Sequence, residues 1–421
     1  MSLADISITM LLGVALCGIA LSQTAVGIAG EWRRRRKRSQ KYAHAKRAFI
    51  DHIATLARSA RAAQTRFAAW EGLRPMRVAA IVDEAHQVRS FYLTPVDGKP
   101  LPSYEPGQYL TLYLPTEDSK PPLVRCYSLS DRPREDYYRL TVKRCPPPSD
   151  SVGAPDGSVS NHLHDTLRVG DTLEVAAPRG QFFLRPERNS PVVLVAGGIG
   201  ITPMLSMLNA MAHRGLSHEV FLFLGVRNGR EHPFKEHLEQ LAAQHPRLRL
   251  LVSYSSPSDA DEPYRDFQHV GRVTIDHLRD VLPTNRFDYY LCGPGAMMQD
   301  LVAGLEAWGV PAKRIHFEAF GPASVRRTTP TGVAGVVGSR VRFERSNKEH
   351  VWDADATSLL EAGETAGVSL ASGCRAGNCG QCLVRVANGN VAPLREPGFP
   401  VPTGHCLACI SVPTGAVTLD A

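Results

Sequence analysis

The chain has 421 residues, 43% of them hydrophobic and 21% charged, with a formal net charge of +7. That balance excludes an intrinsically disordered chain, and the length allows roughly two to four domains. Nine cysteines over such a length do not make a disulfide scaffold, and the positive excess is local, so neither a disulfide-stapled secreted protein nor a nucleic-acid partner is expected.

No charged residue occurs from Ile6 to Gly30, a run that includes Met10-Leu11-Leu12-Gly13-Val14-Ala15-Leu16. Such a stretch is long enough to cross a bilayer as one helix. Arg33-Arg34-Arg35-Arg36-Lys37-Arg38 follows it and holds that end on the cytoplasmic side. A signal peptide carries its positive charge before the apolar run, not after it. Residues 1–30 are therefore expected to be a transmembrane anchor in the cytoplasmic membrane, with lipid as partner and the remaining domains in the cytoplasm. Residues 31–75, rich in Ala, Arg, Lys and Gln, read as a basic helical linker that ends at Pro75.

Residues 76–186 show short alternating runs with Gly/Pro punctuation, the pattern of an antiparallel barrel. Arg77–Val82, Tyr109–Leu114 and Tyr138–Lys143 are examples. Within them stand Pro106-Gly107-Gln108-Tyr109, Arg125-Cys126-Tyr127-Ser128 and Gly157-Ser158-Val159-Ser160-Asn161-His162-Leu163. An Arg beside an aromatic and a hydroxyl supplies one charge for a pyrophosphate and polar contacts for a flat ring. Alone, Arg-x-Tyr-Ser is a weak match; in order with its two neighbours it becomes specific.

Residues 190–322 change character. Pro191–Ala196 is wholly apolar, as a parallel strand buried on both faces requires. It runs into Gly197-Gly198-Ile199-Gly200-Ile201-Thr202-Pro203-Met204 and a helical stretch through Met211. Strand, glycine turn and helix with Pro near its first turn make an anion site, since backbone N–H groups point at the phosphate. The motif departs from Gly-x-Gly-x-x-Gly, so alone it is also consistent with a structural turn. Further apolar strands, Val220–Gly225, Leu248–Ser253 and Asp288–Pro294, imply a doubly wound α/β sheet with ligands at the strand C-termini. Arg227 and Arg230 follow Val220–Gly225, the second strand of this sheet, where a 2′-phosphate would favour NADPH, or are exposed loop charges.

Residues 323–339, with their Thr, Pro and Gly, read as a linker that lets the last domain move. That domain, 340–421, holds Cys374, Cys379, Cys382 and Cys409. Cys-x4-Cys-x2-Cys closed by a distant cysteine is the plant-type [2Fe–2S] spacing. Gly373, Gly377 and Gly380 allow unusual dihedrals around a cluster, and small residues let amides point at its sulfurs. Cys379-x2-Cys382 with Cys406-x2-Cys409 also reads as a zinc ribbon, but that leaves Cys374 and the glycines without a purpose. Spacing alone does not separate Cys406 from Cys409.

On these motifs, together with Glu318-x-Phe320-Gly321-Pro322, residues 76–322 resemble the ferredoxin–NADP reductase superfamily, most of all the reductase half of flavohemoglobins. The C-terminal segment resembles the ferredoxin domains of bacterial oxygenase reductases, where the last ligand stands in a Leu-x-Cys context, here Leu407-Ala408-Cys409. The resemblance implies an antiparallel FAD barrel, an α/β NAD(P) domain and a β-grasp ferredoxin domain. It assigns the flavin to Tyr109, Arg125, Cys126, Tyr127 and Ser128, its phosphates to Val159 and Ser160, and closure over the ring to Ala319, Phe320, Gly321 and Pro322. The nicotinamide nucleotide falls to Gly198, Ile199, Gly200, Ile201, Thr202 and Pro203, and to Cys292, Gly293 and Pro294, with Cys292, Thr202 and Glu318 as candidate catalytic residues.

Reductases of this build also use FMN; the Gly-x-Val-Ser segment favours FAD, and relatives with attached ferredoxins favour NADH. The expected function is an NAD(P)H oxidoreductase that passes electrons through FAD and a [2Fe–2S] cluster to a redox protein such as an oxygenase. The alternatives are a quinone or small-oxidant reductase, and a nucleotide-binding membrane scaffold without turnover. Residues 1–75 are too short and wrongly composed for a globin, so nitric oxide dioxygenation within this chain is not expected.

Overall fold

The computed structural model describes residues 70–115, 122–145, 158–185, 190–320, 335–353, 356–368, 370–372, 375, 377, 379–394, 397 and 399–421. The anchor expected over 1–30, nearly all of the 31–75 linker, and Gly321, Pro322 and Cys374 lie outside them. Among the described residues no helix is long and apolar enough to cross a membrane.

Six antiparallel strands build the first module: β1 (Leu73–Ala85), β2 (Val88–Pro95), β3 (Tyr109–Leu114), β4 (Leu123–Ser128), β5 (Tyr138–Lys143) and β6 (Thr172–Arg179). Their order is β4-β3-β6-β1-β2-β5. Alternation places Leu110, Leu112 and Leu114 of β3 in the barrel core and turns Tyr109, Thr111 and Tyr113 to the other face. A short helix, α1 (Ser158–Asp165), adds Val159 and Leu163 to that core. The first strand begins at Leu73, ahead of the expected boundary at 76. Pro75 pairs within it opposite Glu174, and its carbonyl accepts from Val96 N (3.2 Å), so it contributes to the ladder without an N–H.

The second module is a six-stranded parallel sheet in the order β10-β9-β8-β7-β11-β12. Its strands are β7 (Val192–Gly197), β8 (Val220–Val226), β9 (Leu248–Tyr254), β10 (His269–Val270), β11 (Asp288–Gly293) and β12 (Ile315–Ala319). Every residue of β7 is buried because both faces are covered: Leu194 and Ala196 enter one core, Val193 and Val195 the other. The long helix α2 (Ile201–Arg214) follows β7.

The last module has strand order β14-β13-β19-β15-β17 with a separate β16-β18 pair. These are β13 (Arg340–Phe343), β14 (Lys348–Val351), β15 (Leu383–Asn388), β16 (Val391–Pro393), β17 (His405–Leu407), β18 (Ser411–Pro413) and β19 (Val417–Leu419). A short helix, Leu359–Thr365, packs its Leu359, Leu360 and Ala362 into the core of this module. Residues 335–339 belong here and not to the expected linker: Val336 N donates to Pro413 O (3.0 Å) and Trp352 N to Ser339 O (2.8 Å).

Candidate functional site

In the β3–β4 pair Tyr109 stands opposite Ser128, Leu110 opposite Tyr127, Thr111 opposite Cys126 and Leu112 opposite Arg125. Arg125 and Tyr127 therefore share one face, and Tyr109, Cys126 and Ser128 the other. β4 is an edge strand, so a long dinucleotide would reach both sets only by straddling that edge. Gly180 (φ +127) closes on Tyr109: a methyl there would lie 2.8 Å from the ring. Burial pushes the Tyr127 phenol above its usual range, opposed by Arg125, and keeps it a neutral donor.

Helix α1 packs beside β4 and carries Val159 and Ser160. The next residue, Asn161, is also buried. Its Oδ1 accepts from Cys145 N (3.0 Å), while its Nδ2 is buried with no protein partner. An unpaired buried amide donor costs about 1–3 kcal/mol, which fits a site that a cofactor phosphate oxygen completes. Reading the motif gave Asn161 no role; the buried donor is visible only in the fold.

At the other half, β7 ends at Gly197 and a 3₁₀ turn, Gly198–Gly200, leads into α2 with Pro203 in its first turn. The sheet order reverses here, since β7 continues to β8 on one side while β11 and β12 lie on the other. Such a switch point is where doubly wound sheets bind ligands. Gly198 adopts φ +54. At Gly200 an added methyl would overlap the carbonyl of Cys292, and at Gly197 it would meet Met297 and Pro294. The two candidate turns thus touch through glycine backbones. Thr202 is 2% exposed and its hydroxyl donates to Ile199 O (3.0 Å), so it ties the turn together.

Cys292 is fully buried and pairs alongside Glu318 of β12. Burial, and then the Glu318 carboxylate, push its thiol well above the usual range. It remains a neutral wall at the switch point, not a nucleophile. Ala319 ends β12, and Phe320 beyond it is 37% exposed.

Among the contacts that join the halves, which include Lys143 Nζ on Glu231 (2.9 Å) and His86 N on Arg230 O (3.0 Å), two lie at the candidate site. Gly107 of the Pro106–Tyr109 turn packs on Met207 of α2, leaving no room for a methyl. Asp131, three residues beyond Ser128, accepts from Asn209 Nδ2 (2.9 Å) and Tyr137 Oη (2.7 Å), and its carbonyl accepts from Ser206 Oγ (2.6 Å). Burial raises its carboxyl, but Arg139 and these donors hold it below the usual carboxylate range. The helix that starts at the glycine turn is thereby fixed to the strand that ends at Ser128. Asp131 has no local signature for this role, because its partners on α2 are 75 and 78 residues away.

In the third module Cys379, Cys382 and Cys409 are each at most 8% exposed, and the sulfurs of Cys382 and Cys409 lie 3.1 Å apart. Cys406 sits on β17, in register with Val384, and its thiol lies against Ser411. Burial pushes it up to about 12, the state of a core thiol. The convergence of Cys409 on Cys382 favours Cys409 as the distant ligand. Among the described residues no group of three His, Cys, Asp or Glu side chains gathers to hold a metal ion. Cysteines from a glycine-rich loop and from the 3₁₀ turn Ala408–Ile410 match the donor set that an iron–sulfur cluster takes.

A family model for an oxidoreductase FAD-binding domain matches residues 75–184, one for an oxidoreductase NAD-binding domain residues 194–303, and one for a 2Fe-2S iron-sulfur cluster binding domain residues 341–414. The flavohemoprotein of Bacillus cereus is 39% identical over 255 residues, 61% of this chain and 62% of that protein. The chain thus spans less than two thirds of that relative's length. Among solved structures, the flavohem-like FAD/NAD-binding domain of nitric oxide dioxygenase from Vibrio cholerae is similar at 37% identity and TM-score 0.52, covering 59% of this chain and 99% of that one. Phthalate dioxygenase reductase, described as a modular structure for electron transfer from pyridine nucleotides to [2Fe-2S], is similar at 28% identity and TM-score 0.51. That likeness covers 83% of this chain and 98% of the other.

Proposed function

We propose, for a chain that belongs to the ferredoxin–NADP reductase superfamily and carries a C-terminal [2Fe–2S] ferredoxin domain, that it is an NAD(P)H-dependent reductase feeding a redox protein of the oxygenase type. The observation that carries this reading is the likeness to phthalate dioxygenase reductase across all three modules in the same chain. One NAD(P)H gives up a hydride, two acceptor molecules each gain one electron, and NAD⁺ or NADP⁺ and a proton are left. FAD and the cluster supply the conversion from a two-electron donor to one-electron transfers; the protein supplies distance, orientation and electronics.

The residues divide that work. Arg125, with the α1 residues Val159, Ser160 and Asn161, holds the flavin phosphates, while Tyr109, Cys126, Tyr127 and Ser128 hold the ring and its chain. Ala319 and Phe320, followed by the Gly321 and Pro322 of the same motif, would close over it. Gly198 to Pro203 seat the nucleotide pyrophosphate, and Cys292, Gly293 and Pro294 wall the nicotinamide, with Thr202 fixing the turn and Glu318 beside the thiol. Cys374, Cys379, Cys382 and Cys409 are the cluster ligands.

NADH is the favoured donor. Arg230 is engaged by His86 Nδ1 (3.1 Å), and the Asp261 carboxylate accepts from Gly229 N (3.1 Å) in the loop where a 2′-phosphate would lie. Attachment to the cytoplasmic membrane by residues 1–30 rests on the uncharged run and the Arg33–Arg38 flank.

The test is truncation after Arg327. NAD(P)H-driven reduction of ferricyanide, which takes electrons from flavin, survives, and reduction of cytochrome c falls sharply. Equal cytochrome c rates with and without the ferredoxin domain would sink the proposal.

A further inference from the structure

We infer that Tyr113 and Arg179 of the barrel, with Gln381 and Phe399 of the ferredoxin domain, form the contact that positions the cluster loop on the flavin strands. This rests on the function proposed above. Gln381 stands between two candidate ligands, Cys379 and Cys382, and its Nε2 donates to Tyr113 Oη (3.3 Å) across a separation of 268 residues. Arg179, the last residue of β6, places its guanidinium carbon 5.5 Å from the centre of the Phe399 ring. Phe399 in turn packs on Gly380, where a methyl would lie 2.5 Å from the ring, so the aromatic rests on the backbone of the cluster loop itself.

The barrel side of this contact is continuous with the flavin site. Tyr113 lies on the same face of β3 as Tyr109 and Thr111, and Thr111 Oγ1 is 3.4 Å from Cys126 Sγ. Tyr113 is within electrostatic reach of Cys379 on one side and Cys126 on the other. Arg179 directly precedes Gly180, the glycine that lies on the Tyr109 ring. Tyr113 stands opposite Val124, the neighbour of Arg125, and Arg179 is in register with Tyr109, so both border the residues assigned to the flavin, yet neither is itself in that set. Tyr113 and Arg179 are positioning residues: they hold the loop at a fixed place and leave the redox chemistry to the cofactors.

Among the described residues the contact includes one hydrogen bond between neutral groups and one cation over a ring, with Arg179 exposed, interactions weak enough one by one for a joint that can open and close again. A cluster that must also meet an external acceptor requires a joint of that kind.

The experiment uses the full-length protein with both cofactors bound, comparing wild type with Tyr113→Phe/Arg179→Gln. These substitutions remove a hydroxyl and a charge at partly or fully exposed positions, so the fold is kept. Stopped-flow spectroscopy follows flavin reduction by NADH and then reduction of the cluster. Flavin reduction is expected within twofold of wild type and cluster reduction at least tenfold slower. Arg179→Lys, which keeps the cation, recovers most of the transfer rate. Cluster reduction at the wild-type rate in the double variant overturns the inference. A wild-type flavin that accepts nothing from NADH or NADPH overturns the proposed function instead.

Discussion

Gly198 and Gly200 stand two residues apart in the turn between β7 and α2, and the structure separates their reasons for being glycine. Gly198 has φ +54 and nothing within 4 Å of where a side chain would begin. Its demand is on the backbone: alanine there costs roughly 1–2 kcal/mol, and asparagine less, because Asn visits the left-handed region readily. Gly200 has φ −60, which any residue adopts. Its demand is on space, because a methyl would overlap the carbonyl of Cys292 and lie 2.9 Å from Gly293 N.

The overlapped atoms are main chain in a strand held on both sides, Cys292 being in register with Ala196 of β7 and Glu318 of β12. They cannot rotate away as a side chain would. Overpacking of this kind costs about 1–3 kcal/mol, and the absence of a soft neighbour puts Gly200→Ala near the top of that range. If the strain is relieved by parting the two turns, it appears as weaker nucleotide binding by about two powers of ten. Stopped-flow reduction of the flavin over a range of NADH concentrations measures this. Gly200→Ala is expected to raise the half-saturating NADH concentration by about two powers of ten, with Gly198→Asn within a few-fold of wild type. Wild-type binding and thermal stability in Gly200→Ala would refute the reasoning.

Cys379→Ser, Cys382→Ser and Cys409→Ser are expected to abolish the reduced-state EPR signal and bound iron while flavin reduction persists; Cys406→Ser keeps both, and its loss of the cluster would move the distant ligand to Cys406. Arg125→Ala removes a charge-assisted phosphate contact worth about 1.5–3 kcal/mol, so fluorescence titration should show FAD held about 10–150-fold more weakly. Burial lowers His232 to about 4, so it is neutral in the folded chain and titrates near 6.5 when unfolded. Its contribution is complete above about 6.5 and is lost as pH falls from there toward 4. The thermal midpoint should therefore drop between pH 7 and pH 5, and His232→Gln should flatten that dependence. Deleting residues 1–38 should give a protein that no longer fractionates with membranes and still oxidises NAD(P)H.

What the sequence disclosed was chemistry with a local signature. A wholly apolar run ending in glycines announces a strand buried on both faces and an anion turn, and Pro191–Pro203 became β7, a 3₁₀ turn and α2. Cysteine spacing is equally local, because a cluster draws most of its ligands from one loop. Contacts between modules leave no such trace. Nothing around Asp131 marks it as the residue that pins α2, since Asn209 becomes its partner only when the sheet is built. Composition also misled at the module edges. Residues 335–339 look like linker, yet Gly335 lies so close to the indole of Trp352 that no methyl fits between them. Pro75 reads as a boundary because it follows a proline-free helical stretch, but it lies inside β1, where its carbonyl accepts from Val96 N.

The strand pair β3–β4 explains how one small barrel can serve three neighbours at once. A strand sends alternate side chains to opposite faces, and an edge strand leaves its outer side open. Arg125 and Tyr127 use one face, Tyr109 and Cys126 the other, and the chain leaving β4 supplies Asp131 to the nucleotide module. Tyr113, at the far end of β3, remains to meet the ferredoxin loop. Each neighbour is therefore held by residues the others do not use, and losing one contact need not loosen the rest. Asp131 and Gly107 tie the barrel to α2 of the nucleotide module, while Tyr113 and Arg179 meet the ferredoxin module on a different part of the barrel.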